Sequence, residues 1–202
     1  MPSYSSTAPR RIPQQERGQR RVAGFLRAAA SVVAEMGYER TTMSAIAKRA
    51  RSSIGSLYQF FPNKPSVAEA LRAQYVKDIE QSWTVLARKA AALSAGHLAG
   101  RLASMQIELV KSHPALLALL DVPPTAHTPA RRELIRVRIA TVLMAHKPRM
   151  SRAMALRVAS VVQQVSRALL TLYAQTDPGE KFAMIEEFKS VLTGYLTLKL
   201  KC

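Results

Sequence analysis

Apolar residues along this chain recur with the period of an α-helix, and no stretch alternates as a half-buried strand does. Val22, Phe25, Leu26, Ala29, Val32, Val33 and Met36 follow the i, i+3, i+4, i+7 template without a miss, and Gly37 stands where a helix ends in the left-handed conformation. Downstream, "KPSVAEALRAQYVKDIEQSWTVLARKAAALSAG", residues 64–96, reads as one long helix with Val67, Leu71, Tyr75 and Ile79 on a face, closing at Gly96. "HLAGRLASMQIELVKSH" predicts another helix and Pro114 opens a short one. "DVPPTAHTP" is a loop, with Thr128 as N-cap and Pro129 at the first position of the next helix. Ser151 caps a helix carrying Met154, Val158, Val161, Val162, Val165, Leu169 and Leu172. The final helix opens at "DPGE", with Asp177 as cap, Pro178 at the first position and Glu180 where a capping box places it. Phe182, Ile185, Phe188, Leu192 and Tyr195 form its stripe. The expectation is an all-α fold of about nine helices.

Between Gly37 and Lys64 the pattern shortens, in "GYERTTMSAIAKRARSSIGSLYQFFPNK". Thr42 precedes a helical run in which Met43, Ile46, Ala47 and Ala50 share a face. A break at Arg51, Ser52 and Ser53 follows, and Ser53 caps a second short helix with Leu57, Tyr58 and Phe61 at helical spacing. Ile46 and Ala47 are expected to pack on Leu57 and Phe61, which leaves the outer face of the second helix free for a major groove and aims helix N-termini at phosphates.

Gly37-Tyr38, Thr41-Thr42, Ile46-Ala47, Ser53, Gly55, Leu57-Tyr58, Phe61 and Lys64 together resemble the TetR (tetracycline-repressor-like) family of bacterial transcriptional regulators. The resemblance covers about the first 65 residues through motif positions and the remainder through helix number and length. It implies that Thr42 and Lys64 grip phosphates at the two ends of the motif and that Tyr58 contacts the DNA backbone. It also implies that Ser44, Ile54, Gly55, Ser56 and Gln59 meet bases and sugar-phosphate, with Thr41 and Ser53 completing the contact set. Three positions depart from the family pattern. Arg51 replaces a turn glycine at a cost of about 1 kcal/mol, with an extra phosphate contact as the gain. Ser52 replaces an apolar turn residue, and Phe60 stands where a hydrogen-bonding Tyr or His is common.

Charge strengthens the nucleic-acid reading. The formal net charge is +17 over 202 residues, and it is concentrated. Residues 1–64 carry 11 Lys/Arg against 3 acids and residues 125–160 carry 8 against 1, whereas the segments between and after are near balance. The first block includes Arg10, Arg11, Arg17, Arg20 and Arg21, which suit a flanking groove or the DNA backbone. In the second block Arg138 shares its helical angle with Leu134, Ile135 and Val142. It therefore faces inward to an acid or a ligand anion, or else snorkels to the surface.

Enzymatic chemistry is not expected. His97, His113, His127 and His146 lie at no metal-ligand spacing, and there is no glycine-rich phosphate loop or nucleophile elbow, so no metal or cofactor is expected. The lone Cys202 fits a reducing cytoplasm, and the longest apolar run, "PALLALLDV", is far below the roughly 20 residues of a membrane span. The expected organisation is a disordered basic arm over 1–15, a helix-turn-helix DNA-binding domain over 16–64 and a helical regulatory and dimerisation domain over 65–202. Its partners are a palindromic double-stranded operator, a second copy through the last two helices, and a small effector near Met105, Leu109, Arg138, Met144 and Tyr173. The family implies a repressor released by that effector. Two other readings remain: a non-specific nucleic-acid-binding protein, for which the aromatics of 52–64 are few and alternately placed, and a helical ligand carrier with a vestigial head.

Overall fold

A computed structural model describes residues 14–120, 122 and 128–201, and within them the chain is α-helical with no strand. Ten helices follow in order: α1 Gln14–Arg40, α2 Met43–Arg49, α3 Ile54–Tyr58, α4 Lys64–Asp78, α5 Glu80–Lys89, α6 Ala95–Ser112, α7 Ala115–Ala118, α8 Thr128–His146, α9 Arg152–Gln175 and α10 Lys181–Lys201. Most of the basic arm expected over 1–15 lies outside the described residues, while Arg17, Arg20 and Arg21 stand exposed on the first turns of α1.

Four expectations change. Gly37 has the positive φ of a terminating glycine, 80°, but its ψ of 162° puts it in an extended region open almost only to glycine, so α1 kinks there and a last turn runs on to Arg40. The long helix read over 64–96 is divided at Ile79, whose ψ of −3° tightens the turn between α4 and α5. A 3₁₀ turn, Ala90–Ala92, ends it before Gly96. Ser94 accepts from His97 N at 3.2 Å and starts α6 instead, which places Gly96 inside a helix. Asp177 to Glu180 form a turn, with Glu180 N donating to Asp177 O at 2.9 Å, and α10 begins only at Lys181. Ser151 caps α9 as expected, accepting from Met154 N at 3.2 Å.

Two buried clusters organise the helices. One joins Phe25, Ile46, Leu57, Phe61, Leu71 and Tyr75 and also takes in Ala115 and Leu119, so the core of the head runs through α4 and closes on the short α7. The other is built from α5, α6, α8, α9 and α10; Leu98 and Leu102 on α6 and Leu192 and Leu196 on α10 are fully buried in it. Helix α4 is the element between the head and that second cluster.

Gly37→Ala is expected to cost about 1–3 kcal/mol in urea unfolding with an unchanged m-value, because the loss is backbone strain alone. No atom lies within 4 Å of the position its Cβ would take. Gly100→Ala, equally open but within α6, should instead be neutral or stabilising by about 0.5–1 kcal/mol.

Candidate nucleic-acid interface and lobe cavity

The helix-turn-helix is built from its caps inward. Thr42 Oγ1 accepts from Ala45 N at 3.1 Å and starts α2; Ser53 Oγ accepts from Ser56 N at 3.2 Å and starts α3. Between them Arg51 takes a φ of 50°, the left-handed turn expected of it without the usual glycine. Ile46 and Leu57 are completely buried where α2 and α3 meet, and Phe61 closes the cluster below them.

Most of the sequence-predicted contact residues are brought to the outside of this unit. Thr42, Ser44, Arg51, Ser53, Ile54, Gly55, Tyr58 and Gln59 are exposed, Tyr58 to 49%, and Ser56 is half-buried. Ile54, Gly55, Tyr58 and Gln59 share one face of α3, opposite Leu57. Arg21 Nη2 donates to Ser52 Oγ at 3.3 Å, which brings the start of α1 beside the turn. A methyl group added at Gly55 would meet nothing within 4 Å, so no internal packing requires glycine there.

Three residues behave differently from the expectation. Thr41 is only 2% exposed and its hydroxyl donates to Gly37 O at 2.7 Å, so it locks the α1–α2 turn rather than offering a contact. Lys64 Nζ donates to Tyr38 O at 3.1 Å and Glu39 O at 3.0 Å and lies 4.4 Å above the Tyr38 ring. Phe60, without a hydroxyl for a phosphate, rests its ring 5.9 Å from that of Phe25 and props α3 against α1.

The second site is a cavity of about 420 Å³ in the lobe, within the range of small-molecule sites. Its apolar lining includes Val76, Trp83, Leu116, Ile135, Ile139 and Leu170, and Arg72, Arg131, Arg132 and Arg167 lie along its wall. Of the ligand residues expected from sequence, Leu109 lines it; Met105, Arg138, Met144 and Tyr173 do not. Met105 and Met144 belong to the hydrophobic core, Tyr173 lies under Lys181 Nζ at 4.6 Å, and the anion that meets Arg138 is the protein's own Glu80. Arg72 is not among the ligand residues expected from sequence and Tyr75 is expected only on the apolar face of a long helix, although their spacing carries the signal. Ala68, Leu71, Arg72 and Tyr75 follow the i, i+3, i+4, i+7 template, which puts a guanidinium at a buried position.

Burial of the Tyr75 ring pushes its phenol up to about 12. His113 closes α6, with Nε2 at 2.9 Å from Asp78 Oδ2, as a helix-end residue. Among the described residues no three His, Cys, Asp or Glu side chains cluster closely enough to hold a metal ion, and no helix is long and apolar enough to cross a membrane.

Comparison with known proteins assigns these two parts separately. Residues 25–71 match the model for bacterial regulatory proteins of the tetR family, and residues 97–196 match a tetracyclin repressor-like C-terminal domain. No curated protein matches the sequence. A TetR-family transcriptional regulator of Streptomyces coelicolor is similar over 87% of this chain and 97% of its own, at 25% identity and a TM-score of 0.65. The regulator FadR of Bacillus subtilis, solved with stearoyl-CoA, covers 87% and is covered over 97%, at 18% identity and a TM-score of 0.68. A TetR variant of Acinetobacter baumannii, solved with minocycline, covers 92% and is covered over 95%, at 15% identity and 0.61.

A bidentate ion pair steadies the head: Arg49 Nη1 and Nη2 each reach a Glu35 carboxylate oxygen at 2.6 Å. The bonds from Arg49 and Ser31 hold the Glu35 carboxyl down to about 2. A depressed carboxyl contributes stability above its unfolded value of 4.5 and loses it as the pH falls toward about 2. NMR titration should therefore place the Glu35 carboxyl at about 2, and Arg49→Gln should raise it toward 4.5 while the Ser31 hydroxyl still holds it below that value.

Proposed function

The chain belongs to the tetR family of bacterial regulatory proteins, and from that premise we propose that it is a homodimeric repressor. It reads a palindromic operator with α3 and leaves it when a small molecule fills the lobe cavity. The observation that carries the reading is the outer face of α3, where Ile54, Gly55, Tyr58 and Gln59 stand exposed on a helix fixed by the buried Leu57. That face has no packing role, and Gly55 keeps its backbone open to close approach. Gln59 has the amide for a base edge, an adenine for preference, and Ile54 suits a thymine methyl. Thr42, Arg51 and Tyr58 are the phosphate contacts, with Arg21 beside them at the turn. Lys64 spends two of its three N–H donors on carbonyls of the α1 end, leaving one for a phosphate.

A second copy supplies the other half-site. On α10, Leu192, Leu196 and Leu200 point into the lobe, while Met184, Phe188, Val191 and Tyr195 form a separate stripe spaced 4, 3 and 4 residues apart, with Val191 54% exposed. Val161, Val165, Ala168 and Leu172 run along α9 at the same spacing, and both ends of that row are exposed. Two such stripes on consecutive antiparallel helices suit a self-complementary four-helix interface. Release works through α4, which bears Lys64 at the head and Arg72, Tyr75 and Val76 at the cavity wall. A ligand that shifts α4 changes the separation of the reading helices and so the population able to span two half-sites. The neighbours solved with stearoyl-CoA and minocycline support a ligand-responsive lobe.

Footprinting on fragments flanking the gene should give a protected palindrome. Its affinity should fall about a thousandfold between 50 and 200 mM salt if six or more phosphates are contacted. Gly55→Ala and Tyr58→Ala should each weaken it by tenfold or more, on the order of one lost contact, while leaving urea stability nearly unchanged. A footprint that survives both substitutions, or equal affinity for random duplex, would overturn the assignment. In sedimentation equilibrium the 22.3 kDa chain should run as a dimer, and Val191→Glu should shift it toward monomer.

A further inference from the structure

Four guanidiniums and a mostly apolar wall are an unusual combination for one cavity. Arg72, Arg131, Arg132 and Arg167 line it, and none of its described lining residues is acidic. Among the described residues Glu69, which does not line the cavity, is the carboxylate paired with this cluster. It pairs with Arg131 and lies 3.9 Å from Arg72 Nη1. That is one carboxylate against four guanidiniums among the described residues. Burial and then the Arg131 charge push the Arg72 pKa down, with Arg167 adding to the effect.

The hydrogen-bond inventory points the same way. Arg72 is 8% exposed; its Nη2 donates to Leu119 O at 2.6 Å and Val122 O at 3.1 Å, but its Nη1 is buried and makes no hydrogen bond. Tyr75 is 3% exposed, and its hydroxyl is likewise buried without a partner. Both side chains are one turn apart on α4 and both line the cavity. Buried polar groups are nearly always partnered. Of the four buried side-chain atoms without a hydrogen bond among the described residues, Arg136 Nε and Arg138 Nε belong to residues outside the cavity lining. Arg72 Nη1 and the Tyr75 hydroxyl belong to residues that line it beside three further guanidiniums. Guanidinium donors match a planar or tetrahedral oxyanion, and the rest of the lining matches hydrocarbon.

We propose that the cavity takes an amphipathic anion, its carboxylate or phosphate seated on Arg72 Nη1 and the Tyr75 hydroxyl beside Arg131 and Arg167, and its apolar body lying against Trp83, Ile135, Ile139 and Leu170. This rests on the reading of the lobe as the effector-binding part and names the class of effector. Because the same guanidinium holds the carbonyls of Leu119 and Val122, the anion and the segment that follows α7 share one side chain. Helix α7 in turn is packed into the core of the head.

Calorimetry on the full chain with decanoate, decyl phosphate and decanol tests the proposal. At least one of the two anions should bind about tenfold or more tighter than decanol, and the stronger of the two identifies the head group. Tyr75→Phe removes only the orphaned hydroxyl, and Arg167→Gln alters an exposed side chain, so both variants should fold. Together they should reduce anion affinity by about tenfold and leave decanol binding as it was. Equal binding of all three probes, binding of none, or anion affinity unchanged in the double variant would each overturn the proposal. Operator binding without ligand is measured separately, so loss of the repressor reading and loss of the anion site give different results.

Discussion

Two cations on α4 hold the head to the rest of the molecule. Lys64, at its start, donates to the carbonyls of Tyr38 and Glu39, and Arg72, eight residues and about 12 Å further on, donates to those of Leu119 and Val122. Each makes charge-assisted bonds to backbone carbonyls near a helix end, Tyr38 O accepting from Thr41 N as well at 3.1 Å. The first pair closes the end of α1, and the second closes the chain after α7. Because Phe25, Ile46 and Leu57 share a cluster with Leu71, Tyr75 and Leu119, α4 cannot move relative to the head without disturbing buried packing. The reading helix and the cavity wall therefore meet on one rigid element.

Charge is arranged around this strut by the same logic. Of the second basic block, Arg138 is answered by Glu80 on α5, Arg136 by Glu133 in its own helix and Arg131 by Glu69 on α4. The block's excess in the sequence is thus partly spent on internal pairs that tie α8 to α4 and α5. The basic residues of the head are treated differently. Arg49 is committed to Glu35, whereas Lys48 and Arg51 stand exposed, and Arg21 lies beside the turn where, among the described residues, it donates to the neutral Ser52. Uncompensated positive charge on one surface is what a polyanion requires.

Much of this was legible in the chain because helical periodicity and capping act locally. Thr42, Ser53 and Ser151 were readable as caps since a hydroxyl three residues before an amide needs nothing from the rest of the fold. The division of the helix read over 64–96 was not, because Ile79 carries no breaking signal and the turn there serves contacts with helices far along the sequence. The direction of Lys64 was hidden for a similar reason: its acceptors lie 25 and 26 residues away and exist only once α1 has kinked at Gly37. Thr41 and Thr42 are adjacent and chemically identical. Only the backbone after that kink decides that the first turns in and the second out.

The candidate ligand residues separate along the same line. Arg138 is a charge on an apolar face whose Nη2 the fold answers with Glu80, although its Nε, like that of Arg136, is buried without a hydrogen bond, and neither residue lines the cavity. Arg72 sits equally among apolar positions; the fold gives its Nη2 two carbonyls, while its Nη1 and the neighbouring Tyr75 hydroxyl stay buried without a hydrogen bond on residues that line the cavity. A charge on an apolar stripe is therefore ambiguous until its donors are counted against the acceptors within reach. A buried donor without a partner does not by itself mark a ligand site, as the Nε atoms of Arg136 and Arg138 show; Arg72 and Tyr75 differ because both line a cavity that three further guanidiniums also line.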